Sequence, residues 1–390
     1  MDTRQPDDPS FAPTRRFSRR AATRGVAAGM TTALLARTGA VAQQASPVSG
    51  ELIVRPNAKS LNPEQRQAYV DAVLALKQKA SPWAAGLSVY DTFVLWHRDA
   101  FGCAVNAAHM APGFLPWHRA FLLLFDQELK EVDPDVTLPY WDWTVDNQPD
   151  SYLWSDDFLG PNGDPANTQI VTSGPFAQGS WVITVFDYTD TQRNPSIVRD
   201  FAAGGLAPTL PTAENVEQAL QIATYDSAPW NAAVPWEQSF RNALEGWRDC
   251  TDDMCDPTAG LGTTCTGPHD LHNRVHLWVA GEFVFAHELT MTDRAGTPVA
   301  TPVSGGETFG TMAFNSSPND PVFFLHHANI DRIYNQWLAR HGEIYEPLSG
   351  GPYGHNIDDP MWPYAQIDWT FTPRMALSSR ALGYIYDTDE

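Results

Sequence analysis

The 390-residue sequence predicts a mainly α fold, a four-helix bundle with metal ligands on its facing helices, joined by long loops and small β pieces. Three observations lead there. Apolar residues recur at helical spacing, among them Tyr69, Val70, Val73, Leu74 and Leu76, and again Phe121, Leu122, Phe125 and Leu129. His272 and His276 stand four residues apart, which puts both imidazoles on one helix face. Between Tyr140 and about Trp236 the periodicity fades, and Pro, Gly, Asn and Asp recur as they do in ordered loops.

With 43% hydrophobic and 12% aromatic residues the chain has ample core for one large domain, expected over residues 43–390. Residues 1–42 read differently. A polar head containing Arg15-Arg16-Phe17-Ser18-Arg19-Arg20 precedes a short apolar run from Gly25 to Ala36 and then Ala40-Val41-Ala42, the order of a twin-arginine signal peptide. Export by that route, as an already folded protein, is the expectation, with work done in the periplasm or the medium. Processing would remove seven Arg and three Asp, a net of +4, so the charge moves from −21 to about −25. So acidic a surface argues against nucleic acid as a partner. No other segment approaches 18 uninterrupted apolar residues, so no membrane span is expected.

Residues 43–60 are polar and Pro-bearing, a linker or a wrapped arm. Asn62-Pro63-Glu64-Gln65 then marks a helix start, with a cap, a Pro at the first helical position and an acid in the first turn. A second helix carries Tyr90, Phe93, Val94 and His97, and a third, from Pro116 to about Val132, places His118 near its start. His109 falls in a loop bounded by Pro and Gly. Within the loop-rich middle, Ser180–Phe186 is strand-like, and Tyr140-Trp141-Asp142-Trp143 reads as a packing cluster in which Asp142 orients a ligand or a loop. Further helices carry His272 with His276, and His326 with His327, the last continuing through Trp337. Internal repeats are absent.

The chain therefore offers two sets of three histidines. His97, His109 and His118 make one; His272, His276 and one of the adjacent pair His326 and His327 make the other. Neither set includes a Cys or a carboxylate at ligand spacing. An all-imidazole shell suits copper or zinc better than magnesium, calcium or an iron–sulfur cluster, and two such shells point to a copper pair. His269 reads as a helix cap or an entrance residue, and His287, His341 and His355, without a partner at ligand spacing, read as ordinary surface or core residues.

At these residues the sequence resembles the tyrosinases, members of the type 3 dicopper family together with catechol oxidases and hemocyanins. The resemblance rests on His109 followed by Phe114-Leu115-Pro116-Trp117-His118-Arg119, on Pro139-Tyr140-Trp141-Asp142-Trp143, on Leu271-His272-Asn273-Arg274-Val275-His276, and on Asp320-Pro321 leading to His327 and Asp331. It runs from about Leu87 to the C-terminus. It implies two copper ions, copper A on His97, His109 and His118, and copper B on His272, His276 and His327; His327 is preferred because the family's ligand falls seven residues after the opening Asp and four before the closing one. His326 is then expected as a hydrogen-bonded neighbour, and Arg119, Asp331 and Phe323 as residues that hold the ligands in place.

The resemblance also implies the chemistry: ortho-hydroxylation of a monophenol and oxidation of the o-diphenol to an o-quinone with O₂. Catechol oxidase, o-aminophenol oxidase and hemocyanin-like oxygen carriage are the rivals. Asn273 and Glu245, in Phe240-Arg241-Asn242-Ala243-Leu244-Glu245-Gly246-Trp247, match residues that in relatives hold a proton-accepting water. Here 27 positions separate Glu245 from His272 because of an insertion over about 249–269, so Asp270 stands as the alternative acid. The insertion holds Cys250, Cys255 and Cys265; with Cys103 they are expected to form two disulfides, pairing undetermined, and neither a Cys–His thioether nor a zinc site is expected. After Asp331 too little chain follows for the additional C-terminal domain that covers the site in some tyrosinases. A copper-delivery partner stays open.

Overall fold

In the computed structural model residues 52–389 are described, apart from 102–106, 189, 191–192, 206, 249–269, 285–288, 293–297 and 302–306. The signal segment, the insertion, His269, His287 and all four cysteines lie outside the described residues. Helix α1 (Pro63–Gln78) starts as its sequence dictates: Asn62 Oδ1 accepts the Gln65 N–H at 2.8 Å while Gln65 Oε1 accepts the Asn62 N–H at 3.0 Å. There follow α2 (Val89–Phe101), α3 (Phe114–Val132), α4 (Ala213–Leu220), α5 (Phe240–Glu245), α6 (Leu271–Ala280) and α7 (Val322–His341). Helix α3 begins two residues ahead of Pro116, since a proline in the first turn forfeits no helical hydrogen bond.

The four histidine-bearing helices are α2, α3, α6 and α7, with α7 packed against both α3 and α6. Burial of aromatic faces fixes their spacing. Phe125 of α3 stacks on Phe324 of α7 at 3.5 Å between centroids, and Phe93 of α2 meets Phe121, Phe125 and Phe324 edge-on. The start of α7 is fixed from the side, because Arg199 gives Asp320 two hydrogen bonds of 2.7 Å, both residues fully buried.

Strands are short and paired in twos among the described residues. β1 (Ile53–Arg55) lies parallel to β6 (Tyr384–Tyr386), while β2 (Glu282–Val284) pairs antiparallel with β5 (Glu307–Phe309), and β3 (Leu289–Thr292) with β4 (Pro298–Thr301). The stretch 180–186 is not a strand. Trp181, Ile183 and Val185 alternate inward as expected, yet among the described residues no neighbouring strand offers a ladder; the Ile183 N–H bonds Pro195 O, and Trp181 Nε1 bonds Asn319 O. Alternation reports a half-buried extended chain, whatever its partner.

Asp331 turns out to belong to a buried clamp and not to an imidazole. It receives Arg119 Nε at 2.6 Å and the hydroxyls of Tyr384 and Tyr386 at 2.7 and 2.6 Å, with Arg55 at 3.5 Å. This clamp ties α3, α7 and the β1–β6 pair together. Asp142 likewise orients a loop: it takes the Thr144 N–H and hydroxyl and pairs with Arg332 of α7.

Candidate metal centre

The site is built where α6 and α7 face α2 and α3. From α6, His272 and His276 project from one face, and each Nε2 approaches that of His327, at 3.1 and 3.3 Å. Three nitrogens at these separations can share one ion whose bonds to imidazole are about 2.0–2.1 Å. On the other side, the ring nitrogens of His97 and His118 lie within 4.8 Å of that of His327, and the His118 and His327 rings stack at 4.3 Å. His109 joins this set by its ring, with centroids 4.8 and 4.9 Å from those of His97 and His118. Its Nδ1 is buried without a hydrogen-bond partner.

Backbone carbonyls, which the sequence does not advertise, fix most of the rings. The Nδ1 of His97 meets Asn315 O at 2.6 Å, that of His118 meets Phe114 O at 2.8 Å, and that of His276 meets Met312 O at 2.7 Å. Nδ1 of His272 lies 2.9 Å from Asn273 Oδ1 and 3.2 Å from Glu245 O. An N–H given to a carbonyl leaves the other nitrogen bare, and the Nε2 atoms of His97 and His118 are indeed buried without a partner. Burial also keeps the rings neutral: it takes His97 down to about 3 and His276 to about 4, and holds His109, His118, His272 and His327 well below the ordinary histidine value. Neutral, inward-facing imidazoles in an apolar setting are what a pair of copper ions requires, and the donor set fits that cofactor.

Phe323 does wall the site, stacked on His327 at 4.0 Å and edge-on to His97 at 4.8 Å. His326 is the expected neighbour but is held loosely: neither ring nitrogen has a close hydrogen-bond partner, burial lowers its pKa and the His272 backbone pulls it part of the way back, the ring stacks on His272 at 5.2 Å, and a nitrogen lies within 4.8 Å of those of His272, His276 and His327. His341 is structural, its Nε2 on Leu220 O at 2.8 Å.

Despite the long insertion, Glu245 stays at the site. The insertion leaves and returns at one place, because Gly246, with φ +98°, ends α5 directly against Asp270, where a Cβ would stand 2.0 Å from Asp270 O. Oε1 of Glu245 accepts the Met110 N–H at 2.6 Å, one residue beyond His109, and Oε2 lies 3.2 Å from Arg241 Nη1. Burial pushes its carboxyl up, Arg241 and the Met110 N–H pull it back, and the balance lies at about 7. Asp270 is otherwise engaged: it takes the Leu271 N–H at the start of α6 and pairs with Arg248 and Arg274. Asn273 lines a cavity of about 200 Å³ beside His97, His109, His272 and His276, and its Nδ2 is buried without a partner. Phe101, Trp247, Leu277, Met312, Ala313 and Phe314 supply apolar walls, unforeseen because five of them lie in loops, in a short turn or at a helix end, where periodicity is silent.

Such a helical core around paired histidine clusters defines a protein of the type 3 dicopper class. Residues 87–340 match the common central domain of tyrosinase. The chain is 36% identical over 346 residues to a tyrosinase of Streptomyces lincolnensis, covering 87% of this chain and all of that one. It is 34% identical over 336 residues to a grixazone synthase of Streptomyces griseus, covering 80% and 93%. Among solved structures a polyphenol oxidase from Thermothelomyces thermophila shares the fold with a TM-score of 0.54 at 22% identity, over 86% of this chain and 88% of that one. The chain belongs to the tyrosinase family, whose members are copper-dependent phenol oxidases with a dinuclear copper centre.

Proposed function

We propose that the protein hydroxylates monophenols at the ortho position and oxidises o-diphenols to o-quinones, with His97, His109 and His118 holding one copper and His272, His276 and His327 the other. One phenol and one O₂ then give one o-quinone and one water. The copper pair, when bound, supplies the oxygen chemistry. What the chain supplies is geometry and proton handling. Carbonyls of Asn315, Phe114 and Met312 fix three rings; Phe323 restrains His327; and the apolar cavity admits an aromatic ring beside the histidines.

A phenol has a pKa near 10, so near neutral pH its proton needs an acceptor within the site. Glu245 and Asn273 are the acceptor pair, the carboxylate taking the proton by way of a water that the Asn273 amide helps hold. Supporting this are the fixed position of Glu245 beside both histidine sets and the unpaired Nδ2 of Asn273 at the cavity wall. The observation that carries the whole reading is the convergence of buried, neutral imidazoles on one phenol-sized cavity. Incubating the copper-loaded protein with tyrosine, catechol and o-aminophenol in air tests it: turnover of tyrosine is expected, turnover of catechol alone would mark a catechol oxidase, and none at all would sink the oxidase reading.

A further inference from the structure

We propose that His355 is a positioning residue for the copper A half of the site, acting through the loop that carries His109. It lies outside every motif described above, in the Gly/Pro loop that follows α7, and is buried. Its Nδ1 accepts the Gly113 N–H at 3.1 Å. Gly113 ends the His109 loop and caps α3, with an ordinary helical φ of −65°, so its conformation does not call for glycine. Space does. A Cβ at 113 would stand 2.7 Å from His355 Nδ1 and 2.9 Å from Ala107 O. The hydrogen bond and the close approach are separate observations, and in both the imidazole occupies the place that a side chain at 113 would take.

The backbone that carries the imidazole is held from behind. Tyr345 gives its hydroxyl to His355 O at 2.8 Å, Tyr225 gives its own to Pro112 O at 2.7 Å, and the two tyrosine rings lie 4.6 Å apart. These contacts close a circuit from Pro112 through Tyr225, Tyr345 and His355 back to Gly113. Glu245 anchors the middle of the same loop through the Met110 N–H, and Met110 has φ +53°, a conformation that a non-glycine residue keeps only when its surroundings impose it. His109 sits just before these two anchors, and His118 lies on the helix that Gly113 caps. With the His355 anchor gone, the loop is free to carry His109 off its position.

The inference rests on His109 and His118 being copper ligands. Its test compares His355→Asn, whose Oδ1 stands near the place of Nδ1 and still accepts the Gly113 N–H, with His355→Gln, whose Oε1 stands near the place of Nε2 and does not. Each copper-loaded protein is titrated with EDTA, and copper per chain is counted after desalting. Loss of a group that holds a ligand from behind weakens metal binding about 10- to 100-fold. His355→Gln should therefore lose one of its two coppers at roughly tenfold less chelator than wild type, and His355→Asn at close to the wild-type concentration. Gly113→Ala, which presses on the same contact with His355 in place, should copy the Gln variant. Equal behaviour of Asn and Gln, or retention of both coppers by Gly113→Ala at wild-type strength, overturns the proposal. A wild-type protein that never holds two coppers contradicts instead the ligand assignment beneath it.

Discussion

Replacing Glu245 with Gln separates proton handling from scaffolding, because the structure states what the substitution keeps. An amide oxygen still accepts the Met110 N–H now bonded at 2.6 Å, so the loop bearing His109 retains its anchor. Arg241, which loses the Glu245 charge, still has Asp226, 2.9 Å from its Nε. Besides the proton-accepting charge, the substitution gives up only the acceptor 3.2 Å from Arg241 Nη1. A positioned acid–base group contributes about 10²–10⁴-fold; with both carboxylate oxygens already sharing contacts, the lower end, roughly 10²-fold or about 2.7 kcal/mol of barrier, is the figure to expect for tyrosine hydroxylation. Catechol is more acidic and chelates better, so its oxidation should fall far less. Initial rates of oxygen uptake on tyrosine and catechol, on variants checked to hold the same copper, decide it. Asn273→Ala should share the pattern. Equal losses on both substrates would show that these residues only hold the site together.

Three further outcomes follow from the same contacts. His327→Ala should lower copper below two per chain, because the Nε2 of His327 comes within 3.1 and 3.3 Å of those of His272 and His276 and its ring also meets His118, while His326→Ala should leave two; metal analysis showing the reverse would exchange their roles. For Asp331, burial pushes the carboxyl up but Arg119, Arg55 and the hydroxyls of Tyr384 and Tyr386 outweigh it and hold it below its ordinary value. Its stabilisation is thus complete above the unfolded pKa of about 3.9 and is lost as pH falls below that toward the folded value. Asp331→Ala should cost about 3–5 kcal/mol near neutrality and lose that part of the acid dependence, which denaturant melts at pH 7 and pH 3 would measure; a change under 1 kcal/mol would refute the clamp. We also propose export by the twin-arginine route: Arg→Lys changes at Arg15, Arg16, Arg19 and Arg20 should hold the protein in the cytoplasm, and the exported form should begin near Gln43 with no free thiol, as N-terminal sequencing and thiol titration would report.

Helix periodicity and the His-x3-His spacing were enough to read the helical core and the pairing of His272 with His276, because these features are local: four residues on a helix bring side chains together whatever the rest does, whereas the grouping of His97, His109 and His118 came from the resemblance. The capping of α1 was legible for the same reason. What stayed hidden depends on chain segments far apart. Asn315 O and Met312 O reach His97 and His276 from an irregular turn ahead of α7, and a carbonyl leaves no mark in a sequence. Asp331 looked like a partner for an imidazole because it stands four residues past His327, yet Arg55 and two tyrosines from the chain's far ends claim it. The insertion raised a doubt about Glu245 that only the junction of Gly246 with Asp270 removes, since sequence distance says nothing when a loop starts and ends at one point.

The central claim, two coppers held by two histidine clusters that meet at His327, is met most directly by metal analysis of the purified protein after copper loading and removal of loose ions. Two coppers per chain in the wild type, falling in His97→Ala and in His272→Ala alike, is the result this account predicts. One copper per chain in the wild type, or two that survive loss of either histidine, would contradict it.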